Sequence, residues 1–210
     1  MNRLPSYVRQ HLVGLRVLLV FTVITGIIYP LVLVGFSQVA FSGPANGSLV
    51  TFHNRVIGSS LLCQEFVDAK GNPLPQYFQP RPSAAVVSGV KNDFGCDPLY
   101  SSASNYGNNN PALISLIKSR QKIIAKLDHV PISMIPSDAV TASGSGLDPD
   151  ISQANAVMQV DTVATARHIS AAQVQALVDH YTTGRTLGIL GEPVVNVLLL
   201  NRALDEKFPA

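Results

Sequence analysis

Acidic residues are missing from the first 64 positions, since the first one in the chain is Glu65. Residues 17–36 carry no charge of either sign. A helix of this length measures about 30 Å, which matches the hydrocarbon core of a bilayer. The next most apolar run, residues 194–200, is too short to cross a bilayer and contains Asn196. The sequence therefore predicts a single membrane span near the N-terminus.

Positive charge close to this span lies on one flank only. The next charged residue after the span is Arg55, and an excess of Lys or Arg beside a span marks its cytoplasmic side. We therefore expect a cytoplasmic tail at residues 1–11, a transmembrane helix at residues 12–41 and a periplasmic domain at residues 42–210. The cationic residues that set this orientation are Arg3, Arg9 and Arg16.

A cleaved signal peptide is the competing interpretation of this N-terminus. The apolar region continues to Phe41, which makes it longer than the roughly 7–15 residues of a typical signal-peptide core. Residues 37–42 also contain no clean Ala-x-Ala cleavage site. We therefore favour an uncleaved anchor.

Small and polar residues mark one face of the span. Thr22 and Gly26 are four positions apart, Thr25 lies beside them, and Pro30 follows one turn later. Small residues at this spacing allow a second helix to approach closely, and proline frees a backbone carbonyl that a neighbour can satisfy. The pattern favours packing against a partner helix over a plain anchor, although glycine and proline are common in both.

Charge and cysteine content restrict the functions of the remaining residues. Without the three N-terminal arginines, the chain has twelve basic and thirteen acidic residues. This nearly neutral net charge gives no electrostatic reason to expect a nucleic-acid partner. The histidines are scattered and no Cys/His cluster has zinc-ligand spacing, so we expect no metal. Cys63 and Cys96 can form a disulfide if the domain lies outside the cytoplasm, but two buried free thiols fit the sequence nearly as well.

Short strand patterns and helix patterns alternate after the span. They indicate an α+β fold, with one N-terminal transmembrane helix and a single extracytoplasmic α/β-type domain that has a small sheet and several helices. Residues 48–53 and 55–58 read as strands, and residues 60–66 as a third extended or short helical piece. The basic face of a helix at residues 112–127, which includes Arg120, is expected to face solvent. The predicted helix caps are Asn110, Ser152 before Gln153, Ser170 with Gln173 as a capping box, and Asn196 before a helix at 197–206.

Prolines on both sides of Arg81 force residues 77–83 into an extended backbone. An arginine on so stiff a segment is typical of a structural ion pair, with a ligand contact as the alternative. Glu192, which precedes Pro193, is the predicted acidic partner.

Two loops rich in small polar residues are candidates for binding. Residues 84–111 form a long polar loop, which is either functional or an inert surface insertion. In residues 140–152, Gly144 and Gly146 allow positive φ, and successive backbone N–H groups there form a possible anion-binding nest. A nucleophilic serine is disfavoured because residues 142–146 read Ala-Ser-Gly-Ser-Gly and lack the Gly-x-Ser-x-Gly register. We favour a structural loop.

Many motifs occur in one order along nearly the whole chain. They are Gly26 with Tyr29-Pro30, residues 45–49, Gly58, Gln64, Tyr77-Phe78, residues 81–84, Ser104-Asn105, Asn110-Pro111, residues 141–149, Ile151, Arg167, residues 191–193 and 195–197, Asn201 and residues 203–205. Together they resemble the C subunit of the Kdp potassium-transporting P-type ATPase. Cys63 stands where that family usually has glycine, so the resemblance does not decide the cysteine pairing.

The resemblance implies an accessory, non-catalytic subunit of an ATP-driven potassium importer in the inner (plasma) membrane. The implied partners are the potassium-conducting subunit, the P-type ATPase subunit and a small peptide subunit. It further implies that the chain stabilises the assembly and acts as a catalytic chaperone that raises the pump subunit's affinity for ATP. ATP is thus an implied cofactor with no assigned binding residues, and potassium is handled by the complex. The chain lacks an Asp-Lys-Thr-Gly phosphorylation motif, a P-loop and a filter-like repeat, so it cannot pump alone.

The predicted topology limits how this chain acts on ATP. Cytoplasmic ATP cannot touch a periplasmic domain, so an effect on ATP affinity would be indirect. The alternative function is a membrane-anchored periplasmic enzyme or solute-binding domain that uses Ser143 or Ser145, Asp148 and a histidine. The candidate residues for structure or partner contact are Thr22, Gly26, Pro30, Gln64, Arg81, Ser83, Thr141, Ser143, Ser145, Asp148, Glu192 and Asn196.

Overall fold

The computed structural model describes residues 5–87 and 94–209, which form two compact units divided after Ser48. Arg3, which contributes to the predicted orientation, lies outside the described residues. The first unit is helical throughout most of its length. Its segments are α1 (Ser6–Val23), a π-helical turn (Ile24–Ile28), α2 (Tyr29–Ala40) and α3 (Ser42–Ala45).

The first three segments form one continuous helix, Ser6–Ala40, which is long and apolar enough to cross a membrane. The helix starts earlier than the predicted residue 12 because no residue before that point breaks it. Pro5 takes the N-cap position, where its missing N–H is not needed. None of the residues in this helix is buried in the chain itself.

The π-helical turn has a local cause in Pro30. Proline has no backbone N–H and therefore cannot donate to a carbonyl in the preceding turn. The N–H of Tyr29 instead bonds the carbonyl of Ile24, five residues earlier, so the helix passes the proline with one wider turn. Gly26 lies in this wide turn, and four residues no longer complete one turn there. The predicted stacking of Thr22 over Gly26 is therefore rotated relative to a regular α-helix.

The second unit starts with a β-hairpin. β1 (Leu49–Phe52) and β2 (Arg55–Ser59) pair antiparallel, which confirms both strand predictions. The two turn residues, His53 and Asn54, have φ of 47° and 59°, as a two-residue type I′ turn requires. Residues 60–66 contain neither helix nor strand.

A three-stranded antiparallel sheet lies in the second half of this unit. It consists of β3 (Asp150–Ser152), β4 (Thr182–Thr183) and β5 (Val194–Asn196), in the order β3-β5-β4. Val195, at the centre of the middle strand, is fully buried. The sheet is therefore small, and the helices that pack on it supply most of the core.

The longer helices of the second unit begin where the sequence places their caps. The side chains of Asn110, Ser152 and Asn196 accept hydrogen bonds from backbone N–H groups of the first turn, and Ser170 forms the predicted capping box with Gln173. The helices are α4 (Pro111–Leu127), α5 (Ser137–Val140), α6 (Gln153–Arg167), α7 (Ala171–Tyr181) and α8 (Val197–Lys207), with a 3₁₀ turn at Ile132–Met134.

The hydrophobic core lies between the three-stranded sheet and helices α6, α7 and α8. The predicted apolar face of α7 is confirmed, since Val174, Leu177 and Val178 are buried. Phe78 comes from outside the regular elements and is fully buried among these helices. The other large core residues are Ile151, Val163, Val195, Leu200 and Leu204.

Two amide side chains hold the extended segment that precedes Arg81. Asn201 of α8 accepts a hydrogen bond from the Phe78 N–H and donates one to the Phe78 carbonyl, both at 2.9 Å. Gln159 of α6 binds the N–H and carbonyl of Gln79 in the same way, at 2.7 and 3.3 Å. These amides replace a neighbouring strand, so the buried backbone stays hydrogen-bonded outside any sheet.

Helix α4 differs from the prediction on its basic face. Arg120 is half-buried and donates to the Val140 carbonyl at 2.9 Å instead of facing solvent. Lys118, Lys122 and Lys126 are exposed as predicted. The prediction failed at Arg120 because α5, which follows a turn, packs back against α4, and the spacing within α4 alone cannot show this contact.

Candidate functional site

Arg81 forms an ion pair with Asp148, with 2.9 Å between Nη1 and Oδ2. The prediction that this stiff segment holds a paired arginine is therefore confirmed, but the predicted partner Glu192 is wrong. Glu192 instead receives two hydrogen bonds from Arg185, at 2.8 and 2.7 Å. Seven residues separate Arg185 from Glu192, so the turn between them brings the pair together locally.

Ser83 joins three segments of the chain. Its hydroxyl donates to the Gly146 carbonyl at 2.7 Å and accepts from the N–H groups of Ala85 and Cys96, at 3.0 and 2.9 Å. Gly146 has a φ of 71°, and a Cβ there would lie 2.5 Å from the Ser102 carbonyl oxygen. Only glycine satisfies both conditions. The polar residues therefore fasten the serine- and glycine-rich loop to the long polar loop.

The two loop serines bind the backbone of their own loop. The Ser143 hydroxyl accepts from the Gly146 N–H at 2.9 Å, and the Ser145 hydroxyl accepts from the Leu147 N–H at 3.1 Å. Two successive N–H groups of the predicted anion-binding nest, those of Gly146 and Leu147, are therefore occupied by serine hydroxyls. Thr141 donates to the Ser137 carbonyl at 2.7 Å, and this arrangement favours the structural interpretation of the loop.

A catalytic serine receives no support from this geometry. Ser143 is buried against Gly146, and Asp148 is engaged by Arg81. Within residues 5–87 and 94–209, no hydrogen bond connects Ser143 or Ser145 to a histidine. A nucleophile needs a base within hydrogen-bonding reach, and the described chain provides none for these two serines.

Asn196 and Gln64 are the remaining predicted residues of the second unit. Asn196 caps α8 and also donates to the Ser60 carbonyl at 2.9 Å and to Asp150 at 3.1 Å. Gln64 lies against the hairpin, where its Oε1 would meet a Cβ on Gly58 at 3.0 Å. Asn196 therefore ties Ser60, just after the hairpin, to β3 and α8, whereas Gln64 lies close to Gly58 of β2.

The three residues predicted to mark the span lie on the apolar helix Ser6–Ala40. Thr22 is in α1, Gly26 in the π-helical turn and Pro30 in α2. A Cβ built on Gly26 meets no atom within 4 Å, so the space over this glycine is open within the described chain.

Cys63 and Cys96 form a disulfide, with their Cα atoms 5.4 Å apart. Of the two interpretations that the sequence left open, the disulfide is therefore correct. The bond fastens the described end of the polar loop, from residue 94 onward, to the segment after the hairpin. Residues 88–93 of that loop lie outside the described residues, and its described parts before α4 contain no helix or strand.

A cavity of about 380 Å³ lies beside the disulfide-bonded loop. Its wall includes apolar side chains of α4, such as Ile124 and Leu127, together with Glu65, Arg81 and Arg120. Burial raises the pKa of Glu65 from 4.5 to about 7, and the charge of Arg120 lowers that pKa only in part. The same burial lowers the pKa of Arg120. The Arg81 Nε is buried and has no acceptor among the described residues.

Sequence reasoning missed two groups that organise this region. Glu65 lies between the apolar residues Leu61-Leu62-Cys63 and Phe66, with Gln64 as its one polar neighbour there, and this mostly apolar surrounding is a sequence signal from which its burial could have been inferred. Asp138 accepts hydrogen bonds from the Ser152 N–H, the Ser152 hydroxyl and the Asn155 amide, at 2.9, 2.9 and 3.0 Å. Asp138 gives no sequence signal, because its partners are at least fourteen positions away.

The sequence matches one family over nearly its whole length. Residues 11–206 match the family described as K⁺-transporting ATPase, c chain (KdpC). Curated relatives named potassium-transporting ATPase KdpC subunit include one from Mycobacterium tuberculosis, 47% identical over 198 residues, which cover 94% of this chain and 98% of that protein. The relative from Streptomyces avermitilis is 43% identical over 217 residues, covering 98% and 97%. A third, from Paraburkholderia phytofirmans, is 47% identical over 187 residues, covering 89% and 91%.

These matches extend from the apolar helix through α8, so the shared sequence includes both units and the polar residues that join the loops. Because this similarity covers the whole architecture rather than a single motif, the chain belongs to the KdpC family, the c chain of the K⁺-transporting ATPase.

Proposed function

We propose that this chain is the accessory, non-catalytic subunit that stabilises the potassium-transporting complex and raises the ATP affinity of its pump subunit indirectly. The observation that carries the proposal is the family match across residues 11–206, which covers the span and the second unit together. The polar motif residues support a non-catalytic role, because Ser83, Ser143, Ser145 and Asn196 bind other parts of the same chain.

The proposed topology places the N-terminus in the cytoplasm and the second unit in the periplasm. Two observations support it. Arg9 and Arg16 precede the apolar core of the helix, where positive residues mark the cytoplasmic side. The disulfide between Cys63 and Cys96 supports an oxidising compartment for the second unit, since such bonds are rare in the cytoplasm. In this topology ATP is never contacted directly.

The proposed partners are the potassium-conducting subunit, the P-type ATPase subunit and the small peptide subunit, together with the lipid bilayer. The membrane helix would pack on partner helices through the region around Thr22 and Gly26, while the second unit covers the potassium entry side. A change in ATP affinity would then arise from a shift in the conformational equilibrium of the pump subunit, because two distant sites couple only through such a shift.

The topology is tested by protease access in sealed vesicles of known sidedness. Cleavage in the described loop at residues 94–110 is expected only from the periplasmic face. The second half of the proposal is tested by measuring the ATP dependence of hydrolysis by the complex with and without this chain. A lower KM for ATP in its presence is expected, with little change in the maximal rate. Cleavage from the cytoplasmic face would contradict the proposed topology. An unchanged KM for ATP would contradict the proposed effect on ATP affinity.

The cavity beside Glu65 favours one second function, a membrane-anchored solute-binding domain. Its volume of about 380 Å³ suits a small ligand, and the Arg81 Nε and the Glu65 carboxyl border it. Co-purification separates the two functions. A pump subunit leaves the membrane in detergent together with multi-span partners, whereas a solute-binding domain is recovered alone and keeps its activity.

A further inference from the structure

Two charged groups in the cavity wall, Glu65 and Arg120, form no ion pair within the described chain. Arg120 Nη1 donates to the Val140 carbonyl at 2.9 Å, whereas its Nε and Nη2 have no acceptor in residues 5–87 and 94–209 and keep accessible surface. Cys96 Sγ lies 4.0 Å from Glu65 Oε1 but carries no proton, because it is in the disulfide. No N–H or O–H group of the described residues donates to the Glu65 carboxyl.

The other two charged residues of the cavity wall already have partners. Arg81 is paired with Asp148 at 2.9 Å. Asp128 is buried and interacts with Thr162 and His129. The two charged groups left to recognise a ligand are therefore the carboxyl and the guanidinium named above.

Glu65 and Arg120 are close enough to interact but too far apart to neutralise each other. The charge of Arg120 lowers the pKa of Glu65, but burial outweighs this effect and raises that pKa to about 7. Burial likewise lowers the pKa of Arg120. A buried ionised group is stabilised by a partner of opposite charge at hydrogen-bonding distance. A molecule that carries both an ammonium and a carboxylate supplies one such partner to each residue.

Much of the remaining cavity wall is apolar. Ile124, Leu127 and Met158 line the cavity, and Ile123 lines it as well, although its side chain is 52% exposed. The volume of about 380 Å³ lies in the range of sites for small molecules. A ligand that fits this wall has a short apolar body beside its charged groups.

We propose that the cavity binds a small aliphatic amino acid as a zwitterion, with its ammonium on the Glu65 carboxylate, its carboxylate on the Arg120 guanidinium and its side chain on the apolar wall. An acid without the ammonium would leave Glu65 uncompensated, and an amine without the carboxylate would leave Arg120 uncompensated. This inference rests on the second function proposed above, solute binding, and names the class of solute. An accessory subunit can carry such a site as well.

The first test is isothermal titration calorimetry of the full chain in detergent with matched probes. L-Leucine carries both charges, 4-methylpentanoate lacks the ammonium, and 3-methylbutylamine lacks the carboxylate. We expect the dissociation constant of L-leucine to be at least tenfold lower than those of the two analogues, because each analogue loses one charge-assisted hydrogen bond. Glycine, which lacks the apolar body, should also bind at least tenfold more weakly than L-leucine.

Proton release tests whether the ammonium reaches Glu65. At pH 6 the Glu65 carboxyl of the free protein is mostly protonated, because its pKa is about 7. A bound ammonium favours the carboxylate, so L-leucine should displace most of one proton, and its affinity should rise between pH 5 and 7.5. Titrations in two buffers with different ionisation enthalpies measure the number of protons released. Glu65→Gln should abolish this release and weaken L-leucine binding at least tenfold at pH 7.5.

Ile123→Asn tests the apolar wall without changing either charge. Ile114→Asn is the matched control, because Ile114 is 44% exposed on the same helix and does not line the cavity. The Ile123 variant should bind L-leucine several-fold more weakly, whereas the Ile114 variant should bind it as the unmodified chain does. The melting temperature of each variant shows whether the fold is kept.

Each outcome has a distinct meaning. Tenfold preference for L-leucine together with proton release that depends on Glu65 supports the inference. Equal binding of 4-methylpentanoate or 3-methylbutylamine overturns the amino-acid class, while the solute-binding function stands. Binding of L-leucine that Glu65→Gln leaves unchanged overturns the site. If none of the four probes binds at millimolar concentration, the inference fails, and the co-purification experiment decides the solute-binding function separately.

Discussion

The guanidinium of Arg167 lies 2.7 Å from a carboxylate oxygen of Asp205, and its side chain is completely buried. The same group donates to the carbonyls of Gln76 and Phe208, at 2.7 and 2.8 Å. It also stacks over the Tyr77 ring, 4.8 Å from the centroid. One arginine at the end of α6 thus joins the extended segment, α8 and the C-terminal residues.

Arg167→Lys should destabilise the second unit although it keeps the charge. Lysine cannot reproduce the planar arrangement of three donors, so at least one buried carbonyl loses its partner. We expect a loss of about 2–4 kcal/mol in the free energy of unfolding, measured by urea unfolding of the detergent-solubilised chain with near-UV circular dichroism. Arg202→Lys, at a half-exposed pair with Glu206, is the control and should change stability by about 0.5 kcal/mol or less. Equal effects would contradict the structural role of Arg167.

Glu65→Gln should stabilise the chain at alkaline pH. Burial raises the pKa of Glu65 from 4.5 to about 7, so the folded state holds a proton that the unfolded state has lost. The stability linked to this proton is complete below about pH 4.5 and disappears as the pH rises to about 7. Above pH 7 the glutamine variant should be more stable by about 1–3 kcal/mol.

The measurement for Glu65 is the melting temperature of both proteins between pH 5 and 8.5. Asp68→Asn serves as the control, because hydrogen bonds from Asn72 lower the pKa of this exposed carboxyl. The control should give no alkaline stabilisation. A wild-type chain that gains stability relative to Glu65→Gln between pH 5 and 7 would contradict the burial of the Glu65 carboxyl.

Asn201→Leu should show how much the hydrogen bonds from the Asn201 amide to the Phe78 backbone contribute to the free energy of unfolding. Leucine has a similar volume, but it leaves the Phe78 N–H and carbonyl without partners in a fully buried place. Unsatisfied buried groups of this kind cost about 1–3 kcal/mol each, so we expect a total loss of about 2–4 kcal/mol in urea unfolding. Asn109→Leu makes the same change at an exposed position and should be nearly neutral. If Asn201→Leu left the free energy of unfolding unchanged, this would contradict a stabilising role for the Asn201 hydrogen bonds.

Reduction of the disulfide should lower the melting temperature. The bond closes a loop of 33 residues between Cys63 and Cys96, and the chain-entropy relation assigns about 3–4 kcal/mol to a loop of that size. For a chain of this length the loss corresponds to about 6–15 °C. The measurement is differential scanning calorimetry with and without a phosphine reductant. The double variant Cys63→Ala with Cys96→Ala should melt at the lower temperature and no longer respond to the reductant.

Local sequence signals predicted much of the regular structure. Asn110, Ser152, Ser170 and Asn196 start their helices as expected, because a capping side chain reaches only the next two or three residues. The long apolar helix followed from twenty uncharged residues for a similar reason. Such interactions depend on neighbours in sequence, so the sequence displays both partners at once.

Contacts between distant segments decided the features that local signals did not predict. Arg81 pairs with Asp148, 67 positions away, rather than with the predicted partner Glu192, because the sequence does not show which distant carboxylate the fold brings close. The cysteine pairing and the burial of Arg120 likewise depend on which loops and helices meet.

The sequence by itself therefore determined the long apolar helix, the strands of the hairpin, the four capped helix starts and, through its motifs, the family. Hydrophobic periodicity and capping act over a few residues and are visible in any single chain. Only the tertiary structure decided which polar residues are fastened inside the fold and which apolar ones, such as Leu187 and Ile189, remain outside it. The physical reason is that burial is a property of the packed chain, since the same leucine is core or interface according to what surrounds it.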